Sequence, residues 1–267
     1  MQIVHPQIPY QGVPVEDVFL ALDEVGRQQG LGYLIYQYLP NAYPDCPVNI
    51  YFTMEARPTA RYLLFGALMA RARQLRDANP NVRAWVYTSV EPGDQASMDF
   101  YQHNGFRTED AEMLLELTMP VETPRLPMSC SLDATPLNTP EERNALLLRL
   151  RQNDISYVDA SYLYQLQGMP HFSALGMFRN GRELVGECLI AGRGDACEVA
   201  ALYITPENRR QGLGEALLRH GMNVMQQEGV KRTTVRIVTR SIPQRNLMRI
   251  FAPRELSATL RFPGLAI

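Results

Sequence analysis

The sequence is poor in the features that mark membrane proteins, metalloproteins, disulfide scaffolds and nucleic-acid binders. Nothing in its 267 residues approaches the run of roughly 20 apolar residues a spanning helix needs. The start, Met1-Gln2-Ile3-Val4-His5-Pro6, has no basic segment followed by a long apolar one, so no secretory leader is expected. Four cysteines (Cys46, Cys130, Cys188, Cys197) form no Cys-x-x-Cys pair and are too few for a disulfide framework, which points to a reducing cytoplasm. No histidine stands in a recognisable partner motif for Cys188, so that thiol reads as a core residue rather than a nucleophile. His5, His103, His171 and His220 are scattered, and no metal is expected. A net charge of −2 argues against general nucleic-acid binding. Two common phosphate loops are also missing. There is no Gly-x-x-x-x-Gly-Lys-Ser/Thr, and no Gly-x-Gly-x-x-Gly after a first βαβ strand.

What is present is Arg209-Arg210-Gln211-Gly212-Leu213-Gly214. It follows an apolar run from Val199 to Ile204. It opens an amphipathic segment marked by Leu213, Leu217, His220/Gly221 and Val224, near helical spacing. The pattern reads as strand, glycine turn, helix. A helix N-terminus offers unpaired N–H groups and partial positive charge, and together these hold a phosphate. Glycine lets the backbone approach closely and arginine adds charge. A phosphorylated cofactor is therefore expected. Residues 129–267 are net basic and residues 1–128 net acidic, in keeping with a polyphosphate site in the second half.

With Pro206 three residues ahead, Arg209-x-x-Gly212-x-Gly214 resembles motif A of the GNAT acyltransferases, whose loop wraps the pyrophosphate of acetyl-coenzyme A. The order of elements after residue 130 follows that family. A strand over 131–137 comes first, then helices over 140–153 and 156–167, the first with Thr139 as cap and Pro140 at its first position. Two strands over 171–179 and 183–191 follow, joined by Asn180-Gly181, a hairpin signal. A strand over 198–205, a helix over 214–227 stopped by Gly229, a strand over 233–239, a helix over 243–251 and a strand over 258–262 complete the half.

The first half repeats part of this plan. Pro58-x-x-Arg61-x-x-Leu64-x-Gly66 falls on Pro206-x-x-Arg209-x-x-Gly212-x-Gly214 at a constant offset, with a strand over 48–52 before it and a helical stripe, Leu64, Leu68, Ala72 and Leu75, after it. A strand over 82–90 follows. Phe100-Tyr101 and Gly105-Phe106 then resemble motif B of the same family. The proline-punctuated stretch around Thr118–Pro127 has no apolar period and reads as a linker. The resemblance thus implies an α/β (α+β) protein of two tandem GNAT-like domains. Each would be a mixed, mainly antiparallel sheet flanked by helices, with a degenerate domain over 1–120, a linker over 121–129 and an acetyl-CoA-loop domain over 130–267. Leu64 replaces the first loop glycine, and its side chain is expected to crowd a pyrophosphate. In the second half Phe251 stands near where the family often has its general-acid tyrosine, and no Gly-Phe follows it.

By that resemblance, acetyl-CoA is the co-substrate and Arg209, Arg210, Gln211, Gly212, Leu213, Gly214 and Glu215 form its phosphate loop. The backbone of Leu202, Tyr203 and Ile204 pairs with the pantetheine arm as an added strand does, and Asn246 falls where the family often faces the cofactor. Amine acylation needs a neutral amine, so a proton acceptor is required. Glu198, at the start of the strand before the loop, is the first candidate and Glu187 on the neighbouring strand the second. Alternation places Glu198, Ala200, Leu202 and Ile204 on one strand face. Asp154, Tyr157, Asp159, Tyr162 and Tyr164 crowd the segment that walls the acceptor site in the family, where acid and aromatic side chains suit a cationic amine. The expected activity is N-acetyl transfer to a small-molecule or peptide amine, with neither nucleic acid nor membrane as partner. A non-catalytic acyl-CoA-binding or interaction protein with a decayed acid–base site is the other reading. The acceptor and the oligomeric state stay open.

Overall fold

The computed structural model describes residues 1–119, 121–122 and 125–267. It divides into two compact units, Met1–Ala111 with Thr259–Ile267, and Glu112–Ala258. Thr123 and Pro124, within the expected linker, lie outside the described residues.

The first unit is built on β1 (Gln2–Val4), β2 (Val18–Leu22), β3 (Gln28–Tyr38), β4 (Val48–Ala56), α1 (Pro58–Arg76), β5 (Ala84–Tyr87) and α2 (Gln95–His103). Its sheet runs in the order β1-β2-β3-β4-β5 and is antiparallel except for the β4–β5 pair. One face of α1, with Ala60, Leu64, Phe65, Leu68, Met69 and Ala72, is buried against it. Proline at the first position starts α1 at Pro58, so residues 59–64 are already helical. Leu64 is fully buried among Phe52, Phe65 and Leu68. It therefore does not crowd an anion loop. The helix occupies the positions that a loop would need.

The second unit takes β6 (Ala111–Leu117), which precedes the expected linker, into its own sheet. It continues with β7 (Cys130–Ala134), α3 (Pro140–Gln152), α4 (Ala160–Gln167), β8 (His171–Arg179), β9 (Glu183–Arg193), β10 (Ala196–Ile204), α5 (Leu213–Gln227), β11 (Arg232–Val238), α6 (Ile242–Ile250) and β12 (Arg254–Arg261). The order across the sheet is β12-β6-β11-β10-β9-β8-β7. Only β10 and β11 are shown parallel; β6–β11, β9–β10, β8–β9 and β7–β8 are antiparallel. The last strand, β13 (Gly264–Ala266), pairs with β5 and finishes the first unit's sheet. Each sheet is thus completed by a strand from the far side of the linker in sequence. Part of that linker is packed rather than free. Val121 is buried on the α5 side, and its N–H donates to Gln226 Oε1 at 3.1 Å.

Two apolar layers cover the second sheet. On one side α5 packs Leu213, Leu217, Met222 and Met225 against Val185, Cys188, Ile190 and Val199. Gly221 permits that approach, since a Cβ there would lie 2.8 Å from Ile190 Cδ1. On the other side α3 and α4 pack Leu146, Leu150, Leu163 and Leu166 against Leu189, Ala191, Ala201 and Tyr203. The expected Thr139 cap forms with Glu142 as a reciprocal capping box, an arrangement worth about 1 kcal/mol. The second early helix starts later than its sequence suggests. Asp159 accepts from the Tyr162 N–H at 2.7 Å and begins α4 at Ala160. Asn180 and Gly181 turn the β8–β9 hairpin with φ of 50° and 68°.

Candidate active site

Strands β10 and β11 pair from Ala196↔Arg232 to Val199↔Val235 and then part. At the same point β10 carries a bulge. Val199 lies opposite Ile190 and Ala201 opposite Leu189, so Ala200 is an extra residue. The bulge overturns the expected alternation. Leu202 and Ile204 pack on the α5 side, whereas Ala200, Ala201 and Tyr203 face the α3–α4 side. The backbone matters more. Thr205 N–H bonds Val185 O at 2.9 Å, and hydrogen-bonded pairs alternate along an antiparallel ladder. Leu202 and Ile204 therefore turn their N–H groups away from β9, into the gap where β11 has parted.

The gap leads to the expected loop. A single 3₁₀ turn, Pro206–Asn208, is followed by extended Arg209, then Arg210 at φ 60° and Gly212 at φ 76°. Gly212 is the N-cap of α5, and it offers no side chain to the first-turn N–H groups. A Cβ at Gly212 would meet nothing within 4 Å, so the left-handed φ, not protein packing, selects glycine there. At Gly214 a Cβ would lie 3.6 Å from Ile204 Cγ1 and 3.8 Å from Leu247 Cδ1, so this glycine keeps the space between β10 and α6 open.

The side chains of the loop divide by role. Arg209 donates from Nε to Ile204 O at 2.9 Å, and burial pulls its guanidinium below the ordinary value, with Asp154 and Glu207 opposing. It braces the loop onto the strand. Arg210 is exposed. Gln211 accepts from Arg179 Nη2 at 2.7 Å, which ties the loop to the end of β8. Leu213 points into the core, and Glu215 pairs with Arg219 at 2.9 Å. Asn246 is exposed on α6. Phe251, which carries no hydroxyl, is buried with Arg219 stacked 4.8 Å from its ring centre.

Glu187 and Glu198 occupy opposite environments. Glu187 is 1% exposed. Its oxygens accept from Arg149 Nε and Nη2 at 2.9 and 2.8 Å, from Thr135 Oγ1 at 3.1 Å and from the Tyr203 hydroxyl at 2.5 Å. Burial, followed by the Glu187 charge, drives the Tyr203 hydroxyl above its usual range. These bonds tie Glu187 of β9 to α3, to Tyr203 of β10 and to Thr135 just past β7. Glu198 accepts from Arg236 Nη1 and keeps 30% of its side chain exposed. Burial raises its carboxyl above the ordinary value, the Arg236 charge opposes this, and Glu112 adds to it.

Tyr157 and Tyr162 stand near Glu198. Burial raises the Tyr157 hydroxyl, with Tyr162, Glu198 and Glu112 adding to the effect. The residue is also 64% exposed, so water offsets part of that burial. The phenol stays protonated at neutral pH. Burial also raises Tyr162, again with Glu198 adding. Asp159 caps α4, and Asp154, at φ 65°, lies on the Arg209 side of the site rather than beside Glu198. Sequence reasoning missed Glu112, Arg236 and Arg149. Arg236 left one signal, a charge alternating with buried Val235 and Ile237. Cys188 is buried, and burial drives its thiol up, as befits a core residue.

This strand, bulge, gap and glycine-capped helix lie within residues 143–250, which match the model of the acetyltransferase (GNAT) family. A probable N-acyltransferase from Enterococcus faecalis has the same fold, with TM-score 0.53 at 9% identity over 92% of this chain and 61% of that one. A GCN5-related N-acetyltransferase from Sphaerobacter thermophilus aligns with TM-score 0.49 at 12% identity over 96% of this chain and 82% of that one. A tandem GNAT protein from the clavulanic acid biosynthesis pathway aligns with TM-score 0.44 at 16% identity over 94% and 82%. No curated protein matches the chain significantly. Around the GNAT domain, the two mixed sheets and six helices agree with the expected pair of GNAT-like halves. Among the described residues, no helix is long and apolar enough to cross a membrane, and no three His, Cys, Asp or Glu residues gather as a metal site.

Proposed function

We propose that the chain is an acetyl-CoA-dependent N-acetyltransferase acting on an amine, with cofactor and chemistry in the second unit. The observation that carries this reading is the gap beyond Val199 and Val235, which opens onto an α5 N-terminus capped by left-handed Gly212 with no side-chain cap. Uncapped N–H groups and Arg210 suit a pyrophosphate. The N–H groups of Leu202 and Ile204 suit an amide-bearing arm laid along the strand. Apolar Ile204 and Leu247 around Gly214 leave room for that arm. Bound acetyl-CoA supplies an activated acyl thioester. The Ile204 N–H is the donor for its oxygen. Glu198, directly or through water, takes the proton from the acceptor's ammonium group and leaves a neutral nucleophile. Tyr157 and Tyr162 supply aromatic walls for a cationic amine.

The buried Phe251, in place of an acid tyrosine, favours one other reading: binding of acyl-CoA without transfer. Incubating the protein with acetyl-CoA and a panel of polyamines, amino acids, aminoglycosides and peptides, with thiol release as readout, separates the two. Amine-dependent release supports transfer. Tight binding with no release from any acceptor supports the binding protein.

A further inference from the structure

Three charged side chains from three strands meet on the α4 side of the second sheet. Glu198 lies opposite Thr234, and Arg236 comes two residues further along β11 on the same face. On the other edge of β11, Val238 lies opposite Glu112. Arg236 therefore sits between two carboxylates. Its Nη1 donates to Glu198 Oε1, and its Nε lies 3.9 Å from Glu112 Oε1. Side-chain exposures of 30% for Glu198, 45% for Arg236 and 27% for Glu112 leave the cluster open to a ligand on one side. The other groups facing Glu198 are Tyr157, before α4, and Tyr162 on α4.

We propose that Arg236 and Glu112 are positioning residues for Glu198, Arg236 by fixing its carboxylate and Glu112 by sharing the guanidinium and opposing the ionised state. This rests on the reading of Glu198 as the proton acceptor. A cation beside a carboxylate favours its charged form, and a like charge disfavours it. With Arg236 alone, Glu198 would stay ionised to lower pH and bind a proton weakly. With Glu112 on the same guanidinium, Glu198 is a stronger base. General bases work best when their proton affinity lies near the operating pH. Glu112 lies before the linker in sequence, so the part of the chain that resembles a complete GNAT domain lacks this tuning group. Loss of Glu112 should let Glu198 ionise at lower pH. Loss of Arg236 should have the opposite effect and leave two carboxylates to repel.

The test uses the whole chain. Carbon-13 carboxyl resonances of glutamate are titrated without acetyl-CoA, with Glu198 assigned through Glu198→Gln, and turnover is measured against pH. Glu112→Gln should move the Glu198 midpoint and the acidic limb of the rate profile to lower pH. At a fixed pH on that limb it should be faster than wild type by about twofold or more, since one unit is tenfold there. Arg236→Met, or Arg236→Gln if that variant does not fold, should move both upward. Unmoved Glu198 midpoints in both variants overturn the inference. An acidic limb that survives Glu198→Gln overturns instead the assignment of Glu198 as base, and the titration midpoints still decide the coupling.

Discussion

Replacing Arg149 with methionine should destabilise the second unit far more than it disturbs the chemistry. Glu187 is 1% exposed, and Arg149 supplies two of the hydrogen bonds to its oxygens. Without the guanidinium, a carboxylate would remain buried with only Thr135 and Tyr203 as donors. Removing one member of a buried ion pair costs about 3–5 kcal/mol. The Arg149 side chain is 31% exposed, so water can reach the vacated site, and the lower end, about 3 kcal/mol, is expected. For a unit of this size each kcal/mol moves the melting point by about 2–4 °C, giving a loss of roughly 6–12 °C. Differential scanning calorimetry measures it. Adding Glu187→Gln should recover part of the loss, because no charge is left buried. A shift below about 2 °C would refute the assignment of Glu187 as a structural carboxylate.

Glu198→Gln should lower turnover on an identified amine by about a hundredfold or more while acetyl-CoA affinity, measured by calorimetry, stays nearly constant. Gly214→Ala should fold normally, since its Cβ would make only ordinary contacts at 3.6–3.9 Å, yet bind acetyl-CoA more weakly because the space between β10 and α6 narrows; equal affinity would place the ligand elsewhere. A fragment starting at residue 130 should fail to fold cooperatively by circular dichroism, because it lacks the β6 strand whose Glu112–Leu117 pair with β11; a fragment starting at 112 should retain the transition.

What the sequence showed and what it hid divide along range. Asn180-Gly181, the Thr139 cap and the strand–loop–helix around Gly212 were readable because each depends on residues a few positions apart. The bulge at Ala200 was not, because an extra residue among five small or apolar ones leaves the pattern apolar, and it reverses which side chains share a face with Glu198. The pairing of Glu187 with Arg149 spans 38 residues, and that of Arg254 with Glu116 spans 138. The exchange of β6 and β13 across the linker left no local mark at all. It is the reason Glu112 was invisible as a site residue. Leu64 was read correctly as a departure from the loop pattern, but the cause lies in the backbone, since α1 already runs through those positions.

The most direct test of the central claim is a calorimetric titration of the whole chain with acetyl-CoA, beside Gly212→Leu. Gly212 adopts φ 76° with open space around it, so leucine strains the turn by about 1–2 kcal/mol without a clash. Its side chain would cover N–H donors worth roughly 1.5–3 kcal/mol each to a charged ligand. The expected result is one site per chain in the wild type and affinity weaker by on the order of a hundredfold or more in the folded variant. Two equivalent sites, no site, or unchanged affinity in Gly212→Leu would contradict it.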